Sequence, residues 1–230
     1  MNILTDIRDL FFPRICLCCG KILSSQEDSV CISCMVSLPR TGILNTPGNE
    51  MERRFWGIYP IERATALYYY VKGGLVANIL HGMKYHGRRK LCRQMGRIMG
   101  TEMLDSGFYN GIDFILPVPL HKNRLRDRGY NQSELLARGI SDITSVPVVV
   151  DALTRKYNNA TQTHKSAFER WKNAEGLFEI TENAHSLSGR HILLIDDVLT
   201  TGATISACLD ALKTVDSIKI SVVTLAWTKS

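Results

Sequence analysis

Asp196 and Asp197 close the apolar run 192–195, and Thr200, Thr201, Gly202, Ala203 and Thr204 follow almost at once. Adjacent carboxylates can hold a divalent cation such as Mg²⁺ or accept hydrogen bonds from the vicinal hydroxyls of a sugar. A short turn that opens a helix presents free backbone N–H groups and the positive end of the helix dipole, which suits a phosphate. Gly202 allows close backbone approach, and the three threonine hydroxyls can add hydrogen bonds. An ordinary helix cap needs only one hydroxyl. The expected ligand therefore combines a phosphate with vicinal hydroxyls or a bound cation. Neither a Gly-Lys-Ser/Thr nucleotide loop nor a Gly-x-Gly-x-x-Gly turn is present.

The cysteines suggest a second site. Five of the seven lie between positions 16 and 34. Cys16 and Cys19 form one C-x-x-C pair and Cys31 and Cys34 another, a spacing that can bring four thiolates onto a tetrahedral Zn²⁺. Such a site leaves no open position for a substrate, so the metal would be structural. Cys18 is surplus, either a spectator or an alternative ligand. Disulfides or a redox pair are the rival readings, and the expected cytoplasmic location disfavours stable disulfides. Cys92 and Cys208 read as core residues.

These residues need elements to position them. The run 192–195 reads as a buried strand and about 203–213 as a helix. Further strands are expected over 64–70, 114–118, 146–150, 177–180 and 218–227. Helices are expected over about 75–84, 88–105 and 131–143, with Met83, Met95 and Met99 in apolar stripes that read as core. Strands alternating with helices predict an α/β fold with a mainly parallel sheet covered on both faces, its ligand beyond the carboxyl ends of the strands. Residues 1–45 read as an N-terminal helix and cysteine module, 46–60 as a linker, and 61–230 as the main domain. The stripe of Ile3, Leu4, Ile7, Leu10 and Phe11 reads as a packing helix rather than a signal peptide or membrane anchor.

The chain has 230 residues, 45% of them apolar, and a net charge of +6. No apolar run is long enough to cross a bilayer. The excess positive charge favours polyanionic ligands, whether phosphorylated metabolites or nucleic acid. It gathers in the cluster 84–90 and around Lys122, Arg124, Arg126 and Arg128. Tyr85 and Tyr130 interleave with these residues, a pattern that can also bind a nucleic-acid strand. A long, polar, basic stretch from Arg155 to Asn173 contains Gln162 and Arg170 and reads as either a lid or a disordered loop.

The run of acids and threonines closely resembles the phosphoribosyl-pyrophosphate (PRPP) loop of type I phosphoribosyltransferases. With the cysteine pairs and the motif Pro117-Val118-Pro119, Arg124, Arg128-Gly129-Tyr130-Asn131-Gln132, nearly the whole chain resembles the ComF family. That resemblance implies a type I phosphoribosyltransferase fold behind a small zinc-knuckle module. It implies that residues 200–204 bind the 5′-phosphate, that Asp196 and Asp197 hold the ribose hydroxyls directly or through Mg²⁺, and that Arg124 and Arg128 face pyrophosphate. Arg155, Gln162 and Arg170 would belong to the lid. The implied activity is pentosyl transfer to an unidentified acceptor. The rival reading is a non-catalytic competence protein that handles single-stranded DNA with competence-machinery partners, its PRPP site regulatory or vestigial.

Overall fold

The computed structural model describes residues 13–85, 87–156 and 176–229. The expected N-terminal helix and the lid residues Gln162 and Arg170 lie outside these residues.

Four parallel strands form the central sheet: β1 (Arg63–Tyr69), β2 (Phe114–Pro117), β5 (His191–Leu199) and β6 (Lys219–Trp227), in the order β1-β6-β5-β2. β3 (Leu153–Arg155) and β4 (Phe178–Ile180) make a separate antiparallel pair. Long runs of buried residues in β5 and β6 fit a sheet covered on both faces. The helices Leu75–Tyr85, Arg89–Ser106 and Gln132–Thr144 supply one face of the core, together with Cys16, Cys31 and Cys34. The helix Ala203–Leu212, the β3–β4 pair, Met51 and Phe55 supply the other.

The expected elements are present with informative departures. The stretch 146–150 is no strand; only Val148 bridges Ile115, in parallel. Pro147 has no N–H to extend a ladder, and Ser145 before it is left-handed at φ 60°. β5 runs on to Leu199, so the acids lie inside the strand and not at its end. Residues 39–41 pair with β1 through Thr41 N–H to Leu67 O and Tyr69 N–H to Pro39 O. Asn49 caps the short helix Glu50–Arg53, and Met51 and Phe55 are buried. Residues within the stretch read as linker thus pack against the sheet. Met83, Met95 and Met99 are core, as their stripes suggested, and Met103 joins them.

The helices Arg89–Ser106 and Gln132–Thr144 cross almost backbone to backbone. A Cβ at Gly96 would lie 2.2 Å from the Leu136 carbonyl oxygen, and one at Gly139 would lie 2.3 Å from that of Arg93. Neither neighbour can yield as a side-chain tip could. Gly139→Ala is expected to cost about 2 kcal/mol or more of stability, read as an earlier urea midpoint at unchanged slope. A midpoint equal to that of the parent would mean that the crossing relaxes freely.

Candidate functional site

β2 and β5 lie side by side, with the end of β2 at Pro117 opposite Ile195, and the residues that follow each surround a cleft of about 670 Å³. Asp196, Asp197, Thr200 and Thr204 line it from the β5 side, and Arg124 and Arg128 from the segment after β2. Arg155 closes it from β3, its guanidinium stacked 5.4 Å from the Phe178 ring. Thr201, Gly202 and Ala203 line an adjoining hollow with Thr200 and Thr204. Every expected loop and arginine residue among the described residues therefore meets in or beside one cleft. Gly202 has φ 86°, which disfavours a side chain although the space around it is open. It precedes the helix Ala203–Leu212, so that helix's free N–H groups face the hollow. Arg54 braces the loop from outside, donating to Thr200 O at 3.0 Å.

The acids are held in different ways. Asp197 is buried, and its Oδ2 lies 2.8 Å from Lys84 Nζ. Asp196 Oδ1 accepts from Ser133 Oγ at 3.0 Å and from the Asp197 N–H at 2.8 Å. Burial, and then the neighbouring Asp197 charge, push Asp196 up to about 7. Burial works against the charge of Lys84, but the Asp197 carboxylate outweighs it and raises the lysine pKa. With its folded pKa raised above 3.8, Asp196 contributes stability that is complete below about pH 4 and is lost as pH rises through about 7. The hard oxygen donors of this corner suit Mg²⁺.

The sequence reading had left Lys84 in a basic cluster without a role. Its signal was its place at the end of an amphipathic helix, where one lysine of the run can turn inward. Ser133 was also missed. Tyr130 departs from the expectation of a nucleic-acid contact: it is 6% exposed, and its hydroxyl donates to Met83 O at 2.7 Å. Tyr85 is 65% exposed at the cleft, between His81 and Arg128. Lys84→Met strips the acid pair of its cation. The variant is expected to lose about 1–3 kcal/mol, with Mg²⁺ restoring part of the lost melting temperature. An unchanged melting temperature, indifferent to Mg²⁺, would show that the acids need no counter-charge.

The cysteine module is equally well formed. The Sγ atoms of Cys16, Cys19, Cys31 and Cys34 all lie within 4.8 Å of one another, and those of Cys19 and Cys31 are 3.7 Å apart. Zinc–sulfur bonds of about 2.3 Å at tetrahedral angles put sulfurs about 3.8 Å apart, so the set fits Zn²⁺. The N–H groups of Cys18 and Cys31 donate to Cys16 Sγ at 3.4 and 3.3 Å. Burial opposes ionisation of Cys16, but the backbone N–H groups around its sulfur bring it down to about 6. Cys18 turns away and donates to Leu75 O at 3.6 Å, which leaves it out of the cluster. Burial and the neighbouring thiols push it up to about 12.

The phosphoribosyl transferase domain pattern matches residues 130–230. The chain is 32% identical over 131 residues to the DNA utilization protein YhgH of Escherichia coli O157:H7, covering 56% of each protein. It is 27% identical over 208 residues to YhgH of Salmonella typhi, covering 86% of this chain and 89% of that one. It is 37% identical over 91 residues to competence protein ComFC of Bacillus subtilis, covering 40% of this chain and 34% of that one. The chain carries a phosphoribosyl transferase domain pattern and is similar to the YhgH and ComFC proteins. The match to the Escherichia coli relative thus spans just over half of that protein's length. The domain pattern begins at Tyr130, so it takes in the acids and the threonine loop, while Lys84, Arg124 and Arg128 precede it. Among the described residues no helix is long and apolar enough to cross a membrane.

Proposed function

We propose that this protein binds PRPP with Mg²⁺ in the cleft and transfers its phosphoribosyl group to an acceptor. The observation that carries this reading is the meeting of Asp196, Asp197, Thr200 and Thr204 with Arg124, Arg128 and Arg155 around one cavity. Residues 200–204 receive the 5′-phosphate through backbone N–H groups and hydroxyls. Asp196 and Asp197 accept from the ribose hydroxyls. Asp196 and Asp197 would also hold Mg²⁺, which would supply positive charge against the leaving pyrophosphate. Arg124 and Arg128 face the pyrophosphate, which leaves C1 with the electron pair of the broken C–O bond as the acceptor's pair forms the new bond. No protein nucleophile is required. The walls stabilise separated charge in a site that excludes water. The four thiolates hold a structural Zn²⁺.

Incubation with PRPP and Mg²⁺ across a panel of acceptors, with pyrophosphate release followed, tests the reading directly. Acceptor-dependent release is the expected result. Neither release nor calorimetric binding of PRPP would remove it.

A second reading rests on Tyr85. An exposed ring beside His81 and Arg128 offers a stacking surface for a base at the mouth of the same cleft. The relatives named for DNA utilization lend it weight. Oligothymidine binding that weakens in Tyr85→Ala and survives saturating PRPP would favour it over phosphoribosyl transfer.

A further inference from the structure

Gln132 lines the cleft, yet the reading above gives it nothing to do. It is 3% exposed, and its Nε2 has no hydrogen-bond partner among the described residues. Folded proteins leave few buried polar atoms in that state, because water once satisfied them. Nor is Gln132 free to turn away. Asn131 before it donates from Nδ2 to Val118 O at 2.9 Å, just past the end of β2. Ser133 after it donates to Asp196 in β5. Gln132 is thereby strapped over the ends of two strands, as the first residue of the 13-residue helix Gln132–Thr144. That helix directs its positive end to the same place.

A second donor shares the condition. Arg155 Nε is buried without a partner among the described residues, and the Arg155 guanidinium lies near the cationic Arg124. The Asp196 carboxylate offsets part of this repulsion, yet Arg155 Nε is still without an acceptor. Both orphaned atoms are donors, so what they lack is an oxygen. The hollow of the threonine loop is lined by residues 198–205 and contains neither of them. With the 5′-phosphate seated in that hollow, the missing group is the other end of the ligand.

We propose that Gln132 and Arg155 complete an oxyanion subsite in the cleft, each donating one hydrogen bond to the diphosphate end of the bound ligand. This rests on the phosphoribosyl reading. It makes Gln132 a binding residue on the floor and Arg155 its counterpart on the β3 wall, fixed in place by Phe178.

Calorimetric titrations of the full chain with inorganic pyrophosphate and with ribose 5-phosphate, both with Mg²⁺, separate the two ends of the ligand. Gln132→Met keeps the shape and removes the amide; Arg155→Lys keeps the charge and removes Nε. Each is expected to weaken pyrophosphate binding about tenfold and to leave ribose 5-phosphate binding unchanged. Gln132→Met should also melt higher than the parent without ligand, because an orphaned amide has been replaced by apolar atoms. Unchanged pyrophosphate affinity in both variants would overturn the proposal. So would a lower melting temperature of Gln132→Met with equal losses for both ligands, since that marks a structural residue. A parent protein that binds neither ligand would instead defeat the phosphoribosyl reading, and the subsite with it.

Discussion

Cys16→Ser is expected to abolish zinc binding and to unfold the module around it. Protein purified without chelator should carry about one zinc per chain, and the variant close to none. Structural zinc sites of this kind contribute about 10–16 kcal/mol of binding energy that is also folding energy, far more than one lost hydrogen bond. The damage should spread. Cys16, Cys31 and Cys34 share a core with Met83 and Leu91, and Leu17 packs against Gly82 in the helix that carries Lys84. Metal analysis together with the melting curve reports both effects. Cys18→Ser is the control: its sulfur faces Leu75, so zinc content should stay at one. A metal-free, fully folded parent protein, or a Cys18→Ser variant that loses the metal, would refute the four-cysteine assignment.

The double substitution Asp196→Asn and Asp197→Asn should reduce PRPP affinity at least a hundredfold while the fold persists. Two charge-assisted contacts to ribose hydroxyls or Mg²⁺ are each worth about 1.5–3 kcal/mol. Stability should move the other way at Asp196. That carboxyl resists ionisation up to about pH 7, so Asp196→Asn removes a penalty that builds up in the parent from about pH 4 and is complete above about pH 7. The single variant should therefore gain melting temperature over the parent at pH 8 and little at pH 4. PRPP titration of the double variant, with melting curves of the single variant at the two pH values, checks both arms. Unchanged PRPP affinity would assign the acids another purpose, and a gain confined to low pH would contradict the titration of Asp196.

How much of this was legible in the chain depended on the range of the interactions. The threonine loop and the cysteine pairs were readable because their residues are neighbours in sequence and their chemistry is local. The true length of β5 was not, because it is set by Thr224, Ala226 and Trp227 of β6, which continue the ladder past the acids. Val148 pairs alone because Pro147 interrupts the ladder, a signal that was present but outweighed by the β-branched run around it. Asn49, Met51 and Phe55 looked like linker residues because a single turn of helix has no periodicity to detect. Lys84 looked like surface charge because the partner that turns it inward, Asp197, lies far along the chain. Gln132 stood in plain view as part of a motif, but only burial distinguishes an unpartnered amide from a solvated one.

The glycine crossing has a mechanical consequence for the cleft. Ser133 lies six residues from Gly139 along one helix, a lever of about 9 Å with Gly139 at its fulcrum. A side chain at the fulcrum that tilted this rod by about 10° would swing its tip by roughly 1.5 Å, enough to part Ser133 from Asp196. Gln132, at the very tip, would travel slightly farther. The aim of both side chains is thus calibrated at a point well away from any ligand, where two backbones bear directly on each other and leave no slack.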